Sequence, residues 1–425
     1  MYCGGCFRDN TLVAGLRKRG HSVTMVPLYL PLTLEEKDES NGTPIFFGGI
    51  SVYLDQKSAL FRSAPRWMHR LIAAPGLLKM AAGSAAKTRA EDLGELTLSM
   101  LRGEEGKQEA ELEELIGWLK KHEKPEVISL SNLLLVGLAR RLKSELGVPI
   151  ICSLQGEDSF LDGLPEKFRD EAWQTLAQRA EDVDMFIPPS FYFGDLMAKR
   201  LQIPPEKVKV IYNGIDPAGF DVERPTSKGR PAPTVGYFAR MCPEKGLGML
   251  VDAYILLRQR DKVPGVKLKI GGSCGPADQK FVAEQREKLK AAGVYKDAEF
   301  HPNVTRDDKI QFLRSLTVFS VPALYGEAFG LYVIEALAAG VPVVQPRHAA
   351  FPEILRATGG GTLCEPNKEA LTEAIEAFLL NPTKAEEIGE MGRRGVLEKF
   401  TADRMASEVS QILRQAVLAQ ERVSA

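Results

Sequence analysis

The stretch VPALYGEAFGLYVIEALAAGVPVV carries two carboxylates, Glu327 and Glu335, separated by seven residues. The first half reads as a strand running into a loop, and a helix opens near Gly330. Glu335 then lies inside that helix. Five helical residues rise about 7.5 Å, so the two carboxylates can address two points of one extended ligand. The helix N-terminus between them offers N–H groups without intrahelical acceptors, which suit a phosphate. A pair of glutamates at this spacing is common by itself; the strand–loop–helix setting makes it specific.

A second stretch, TVGYFARMCPEKGLGMLVDAY, supplies the opposite charge. Arg240 ends a predicted strand, and Lys245 follows five residues later, just before a helix. Two cations at the carboxyl end of a strand suit a diphosphate. Each interacts with a phosphate charge by about 4 kcal/mol at 4 Å and an effective dielectric near 20. The forked guanidinium favours Arg for bidentate contact.

These residues need elements to hold them. Runs such as EVISLS, VPIICSL and MFIPPS read as strands in the first half, as do VTMVPLY and VKVIYNG. Helical segments, notably LLVGLARRLKSEL and EKFRDEAWQTLAQRA, separate most of them. The pattern lapses into proline, glycine and charge around DPAGFDVERPTSKGRPAP, a linker signature. Alternation restarts with TVGYFAR, VKLKIGG, AEFHP, VFSVPA, VPVVQP and GTLCEP. Leu247, Leu250, Val251, Tyr254 and Leu257 share one helical face. Thr305 with Asp308 predicts a capping box. Strand and helix alternating twice over predict an α/β chain with two doubly wound domains, each on a parallel sheet. The expected domains are 1–222 and 223–400, with a closing helix over 401–425.

Composition narrows the class. The chain has 425 residues, 44% apolar and 26% charged, and a net charge of -1. That balance disfavours a nucleic-acid binder. No run approaches the roughly 20 apolar residues of a transmembrane helix. Six cysteines in such a length are not a disulfide framework, so a reduced, cytoplasmic setting is expected. Cys3 and Cys6 form a C-x-x-C without the further ligands zinc wants, so no metal is expected there. Asp182-Val183-Asp184 is a D-x-D that precedes a strand instead of following one, and it reads as chance. Residues 56–90 hold no acidic side chain but carry Arg62, Arg66 and Arg70 among Phe61, Trp67 and Leu71. Such a segment could touch an anionic membrane face peripherally or an anionic acceptor. A packed insertion with a solvated basic face is the plainer alternative.

GYFARMCPEKG, VIYNGIDPAGF, PALYGEAFGLYVIEALAAGVPVV and the later EKF together resemble the retaining nucleotide-sugar glycosyltransferases of family 4, which have the GT-B fold. The likeness is dense from about Lys207 to Phe400. It implies two Rossmann-like domains facing across a cleft, and transfer of a sugar from a nucleoside-diphosphate sugar to a glycan, lipid or small-molecule acceptor. It places Glu327 by the donor sugar, Glu335 on the ribose hydroxyls, and Arg240 and Lys245 on the diphosphate. The backbone amides of Phe329, Gly330 and Leu331 would approach the phosphate or sugar. Gly4 and Gly5 match the family's paired glycines after its first strand. Gln155 stands where the family has His. Base selectivity is expected around Gly271, Gly272 and Val304. Neither metal nor cofactor is implied, because two cations and a helix end can carry the leaving charge. A nucleotide-sugar epimerase, a sugar phosphorylase or a non-catalytic sugar-binding descendant are the competing readings.

Only Met1 and Tyr2 precede Cys3 and the paired glycines. A central strand of about five residues contributes hydrogen bonds on both edges at roughly 1 kcal/mol each. With its buried side chains, the total rivals a domain's stability of about 5–15 kcal/mol. The expectation is therefore that Met1 is an internal methionine and that a short apolar strand precedes it in the natural protein.

Overall fold

The computed structural model describes residues 4–28, 38–40, 42–47, 90–220 and 232–424. The basic stretch 56–90 therefore lies outside the described residues save for the backbone of Ala90, and so does Cys3. The linker from 221 to 231 lies outside them as well. The chain forms two compact units, Cys3–Ile211 with Ala406–Ala425, and Tyr212–Met405.

The first unit opens with α1 (Gly4–Lys18), so Gly4 and Gly5 lie in its first turn. After α2 (Ala90–Leu101) and α3 (Glu109–His122) comes β1 (Ile128–Leu130). Then follow α4 (Ala139–Leu146), β2 (Ile150–Ser153), α5 (Asp158–Asp162), α6 (Glu166–Ala180), β3 (Met185–Ile187) and α7 (Phe191–Leu201). The strands pair in parallel in the order β1-β2-β3. Two expected strands do not form. Residues 21–27 form no strand, and Leu28 makes only an isolated bridge to Phe46. In VKVIYNG, Val208 likewise makes one bridge, to Phe186. Apolar alternation makes a strand only where a neighbour takes its N–H and C=O groups. VKVIYNG is joined to the β3 side by Lys209 N and Ile211 N, which donate to the Phe186 and Pro188 carbonyls at 2.9 and 3.1 Å. VTMVPLY is held by Phe46 N, which donates to the Pro27 carbonyl at 3.3 Å; neither contact extends into a full strand. LLVGLARRLKSEL starts as a 3-10 turn, Leu133–Leu138, opened by the Asn132 side chain accepting from Leu134 N, before it relaxes into α4.

The second unit is a six-stranded parallel sheet of β4 (Thr234–Phe238), β5 (Lys267–Gly272), β6 (Ala298–Pro302), β7 (Val318–Phe319), β8 (Val343–Pro346) and β9 (Gly361–Cys364). Their spatial order is β6-β5-β4-β7-β8-β9. The intervening helices are α8 (Leu247–Arg260), α9 (Gln279–Ala291), α10 (Arg306–Arg314), α11 (Leu331–Ala338), α12 (Phe351–Thr358), α13 (Lys368–Leu380) and α14 (Pro382–Lys399); α15 (Ala402–Ser424) follows, and from Ala406 on it belongs to the first unit. The predicted face of α8 is buried throughout. It packs against α13, while α11 and α12 pack on α14. Thr305 caps α10 as expected, accepting from Asp308 N at 3.2 Å.

This strand order contains one reversal. From β4 the chain winds outward through β5 and β6, then returns to β7 on the other side of β4 and continues to β8 and β9. The direction reverses between β4 and β7. In an open parallel sheet, the crevice beyond the carboxyl ends at such a reversal is the binding position. The loop after β4 carries Arg240 and Lys245, and the loop after β7 carries Glu327.

Candidate active site in the second unit

Backbone contact holds the two loops together. Leu324 N donates to the Glu244 carbonyl at 2.9 Å. Gly246 has φ +73°, and a Cβ there would lie 1.8 Å from the Pro322 carbonyl oxygen. Only glycine supplies both the left-handed turn and that approach. Gly272 makes the matching contact on the other flank: φ is +123°, and a Cβ would lie 1.9 Å from the Ala239 oxygen. The loops after β4, β5 and β7 are thus bound at backbone distance.

Lys245 and Glu327, 82 residues apart in sequence, meet at 2.5 Å between Nζ and Oε2. Tyr332 on α11 donates to the same Oε2 at 2.8 Å, and Tyr325 does so at 3.2 Å. Lys245 also donates to the Tyr325 hydroxyl and lies over the rings of Tyr325 and Tyr332, 4.9 and 5.3 Å from their centroids. Glu327 is buried. Burial pushes its carboxyl up, but the Lys245 charge and the three donated hydrogen bonds outweigh this and hold it below the ordinary value. Burial raises the Tyr332 phenol well above its usual range, and the Glu327 charge adds to this. The cluster is therefore an ionised carboxylate gripped by an ammonium and two neutral phenols.

Arg240 is over half exposed, and its Nε and Nη2 edge faces the buried Asp278 at 2.9–3.2 Å. That carboxylate raises the guanidinium pKa further. Asp278 is itself fixed by Gly275 N, which donates to Oδ2 at 3.0 Å, at the opening of α9. Glu335, inside α11 as expected, pairs with Lys309 of α10 at 3.0 Å. Gly330 precedes α11 in a left-handed conformation, φ +92°, and Leu331 is the first helical residue. Phe329 is buried against Tyr212 and Phe400. Val304 sits between β6 and the Thr305 cap.

Asp278, Tyr325, Tyr332 and Lys309 were not singled out from sequence. Tyrosines in an apolar run read as core. Asp278, at the head of a helix after GGSCGP, carried the one local sign, that of a helix-opening acid.

In the first unit, Gln155 follows β2. Its N–H, with those of Gly156 and Leu133, donates to the buried Glu157 carboxylate at 2.8–2.9 Å. Burial raises the Glu157 carboxyl, and those amides only partly oppose it. The Gln155 Nε2 atom is buried without a hydrogen-bond partner. The D-x-D has a structural account: Asp184 accepts from Ile150 N and Lys143, and Asp182 from Arg140. Cys6 lies within α1. Among the described residues no helix is long and apolar enough to cross a membrane.

Two protein families match the chain. Glycosyl transferases group 1 covers residues 222–395, and Glycosyltransferase Family 4 covers residues 100–218. A D-inositol 3-phosphate glycosyltransferase of Jonesia denitrificans is 30% identical over 48% of this chain and 50% of its own. The chain spans about half the length of the curated relatives it matches. The solved sucrose-phosphate synthase of Thermosynechococcus elongatus superposes with a TM-score of 0.61 at 19% identity, over 73% of this chain and 79% of that one. An Anabaena HepE protein solved with UDP gives a TM-score of 0.61 at 17% identity, over 72% and 82%. At those identities the likeness establishes the fold, GT-B.

Proposed function

Because the chain belongs to the glycosyl transferases of group 1 with a GT-B fold, we propose that it moves a sugar from a nucleoside-diphosphate sugar to a glycan, lipid or small-molecule acceptor, with retention at the anomeric carbon. The reading rests above all on the meeting of Lys245 and Glu327 at the β4–β7 reversal, inside the stretch that the group 1 family covers. The UDP bound to the Anabaena protein and the sugar-transfer names of the relatives lend it support.

Breaking the anomeric bond leaves an oxocarbenium-like sugar and a diphosphate gaining negative charge. Arg240, Lys245 and the N–H groups opening α11 meet that charge, and they matter most where it is largest, in the transition state. Glu327, ionised, orients the donor sugar or steadies its positive charge. Glu335 takes the ribose hydroxyls. The leaving phosphate accepts the acceptor's proton, so no metal is required. Gln155 contributes a neutral donor to a sugar hydroxyl. Any membrane contact through residues 56–90 would be peripheral, at a cytoplasmic face.

Calorimetry with UDP, GDP and ADP, followed by nucleoside-diphosphate release from matching sugars, tests the reading. Binding of one diphosphate and acceptor-dependent release are expected, with a product whose anomeric configuration by NMR equals the donor's. Absence of nucleotide binding overturns the donor site; an inverted product overturns retention.

A further inference from the structure

We propose that Tyr332 is a positioning residue for Glu327: its hydroxyl, together with Lys245 and Tyr325, fixes the carboxylate by Oε2 and so sets the direction in which the group meets the donor sugar. The inference rests on the proposed role of Glu327 and adds a residue to it.

The geometry is a triangulation. Lys245 reaches Oε2 from the turn after β4, Tyr325 from the Glu327 loop itself, two residues before Glu327, and Tyr332 from the first turn of α11. The Glu327 main chain is held too, its carbonyl accepting from Ala350 N at 3.3 Å. A carboxylate held by one donor swings about its last torsion, whereas three donors on one oxygen leave it little freedom. The Tyr332 side chain is almost fully buried, and a buried phenol that only filled space would be served as well by Phe. The ring already has packing work, lying 6.4 Å from Phe319 and 5.3 Å beneath the Lys245 ammonium. The hydroxyl adds one thing, a hydrogen bond to Glu327.

Tyr332→Phe therefore separates the two jobs. It keeps the ring and its contact with Lys245 and deletes the donor. The groups facing Glu327 are Lys245 after β4, Tyr325 on its own loop and Tyr332 on α11. His348, on the β8–α12 loop, is bonded instead to the Ala323 carbonyl at 3.1 Å. With Lys245 and Tyr325 unchanged, loss of the Tyr332 donor lets the carboxyl rise toward its ordinary value.

The experiment compares full-length wild type, Tyr332→Phe and Glu327→Gln. Nucleoside-diphosphate release from UDP-glucose and GDP-mannose is followed against pH, together with the pH dependence of the melting temperature. Tyr332→Phe is expected to lower kcat about 10-fold, the loss for one hydrogen bond to a charged group. KM and the affinity for UDP or GDP should stay within about twofold. The acid limb of activity, and the acid fall of the melting temperature, should both move to higher pH. An unmoved acid limb, or a melting temperature lowered equally at every pH, makes Tyr332 a packing residue and overturns the inference. Glu327→Gln tells the two readings apart. If it turns over like wild type, the role of Glu327 fails. If it is inactive while Tyr332→Phe keeps wild-type kcat and acid limb, only the present inference fails. Should wild type hydrolyse neither donor, the melting curves decide alone.

Discussion

The four charged residues of the site divide by their partners. Lys245 is bound into a buried cluster, whereas Arg240 is more than half exposed and leans on Asp278 by one edge. Both substitutions to Ala should weaken nucleoside-diphosphate binding, and calorimetry with UDP or GDP measures it. Their stability effects should differ. Lys245→Ala leaves the buried Glu327 without its cation, a loss of about 3 kcal/mol. Arg240→Ala removes a half-exposed guanidinium but leaves the buried Asp278 to its backbone donor Gly275 N, and should cost about 1–2 kcal/mol. Equal losses in urea denaturation would mean that Glu327 depends on its cation no more than Asp278 does on Arg240. Glu335→Ala breaks the pair with Lys309 and should weaken nucleotide affinity, while Glu327→Ala should reduce turnover more than affinity. The residue types and spacings of Arg240, Lys245, Glu327 and Glu335 were legible in the sequence, but their pairing was not. Lys245 and Glu327 meet across 82 residues because β4 and β7 are sheet neighbours, and no local pattern encodes that adjacency.

At the scale of elements, the site is built by loops whose backbones touch. Gly246 is the tightest point, with a positive φ and no room for a side chain before the Pro322 carbonyl. Gly246→Ala must shift one loop against the other; together with the left-handed penalty this should cost about 2–3 kcal/mol. Turnover should fall with it, since the shift separates Lys245 from Glu327. A variant with wild-type stability by denaturation would show that the loops are not in register at this point. The α8 face and the Thr305 cap were readable because each is local: a 3.6-residue period, and a hydroxyl three residues before its partner amide. VTMVPLY and VKVIYNG misled because period-two alternation reports burial potential and does not set how far a neighbour continues the pairing, which here stops at a single bridge each.

The two units hold buried carboxylates of opposite tendency, which gives the whole molecule a directional response to acid. In the second unit, Lys245 and the phenols hold Glu327 below the ordinary glutamate value. A depressed carboxylate contributes stability above its unfolded pKa, about 4.3, and loses it as the pH falls through the folded value. In the first unit, burial raises Asp9, Glu157 and Asp158. The folded state there prefers the protonated forms. Their contribution is complete below the unfolded pKa, near 4, and is lost as the pH rises through the folded values. Moving from pH 7 toward 4.5 should therefore tighten the loop at 154–158, while the Glu327 loop keeps its protection until the pH drops below about 4. Hydrogen exchange by mass spectrometry reads this in one sample, by comparing a peptide spanning 150–160 with one spanning 320–335. Rates are corrected for intrinsic exchange at each pH. Protection in the first peptide should rise between pH 7 and 4.5, and in the second it should collapse only below that interval. The reverse order would mean that burial does not govern Glu157 and Asp158, or that Lys245 does not hold Glu327. Lys245→Ala separates these causes, since it should bring forward the acid loss in the second peptide and leave the first unchanged.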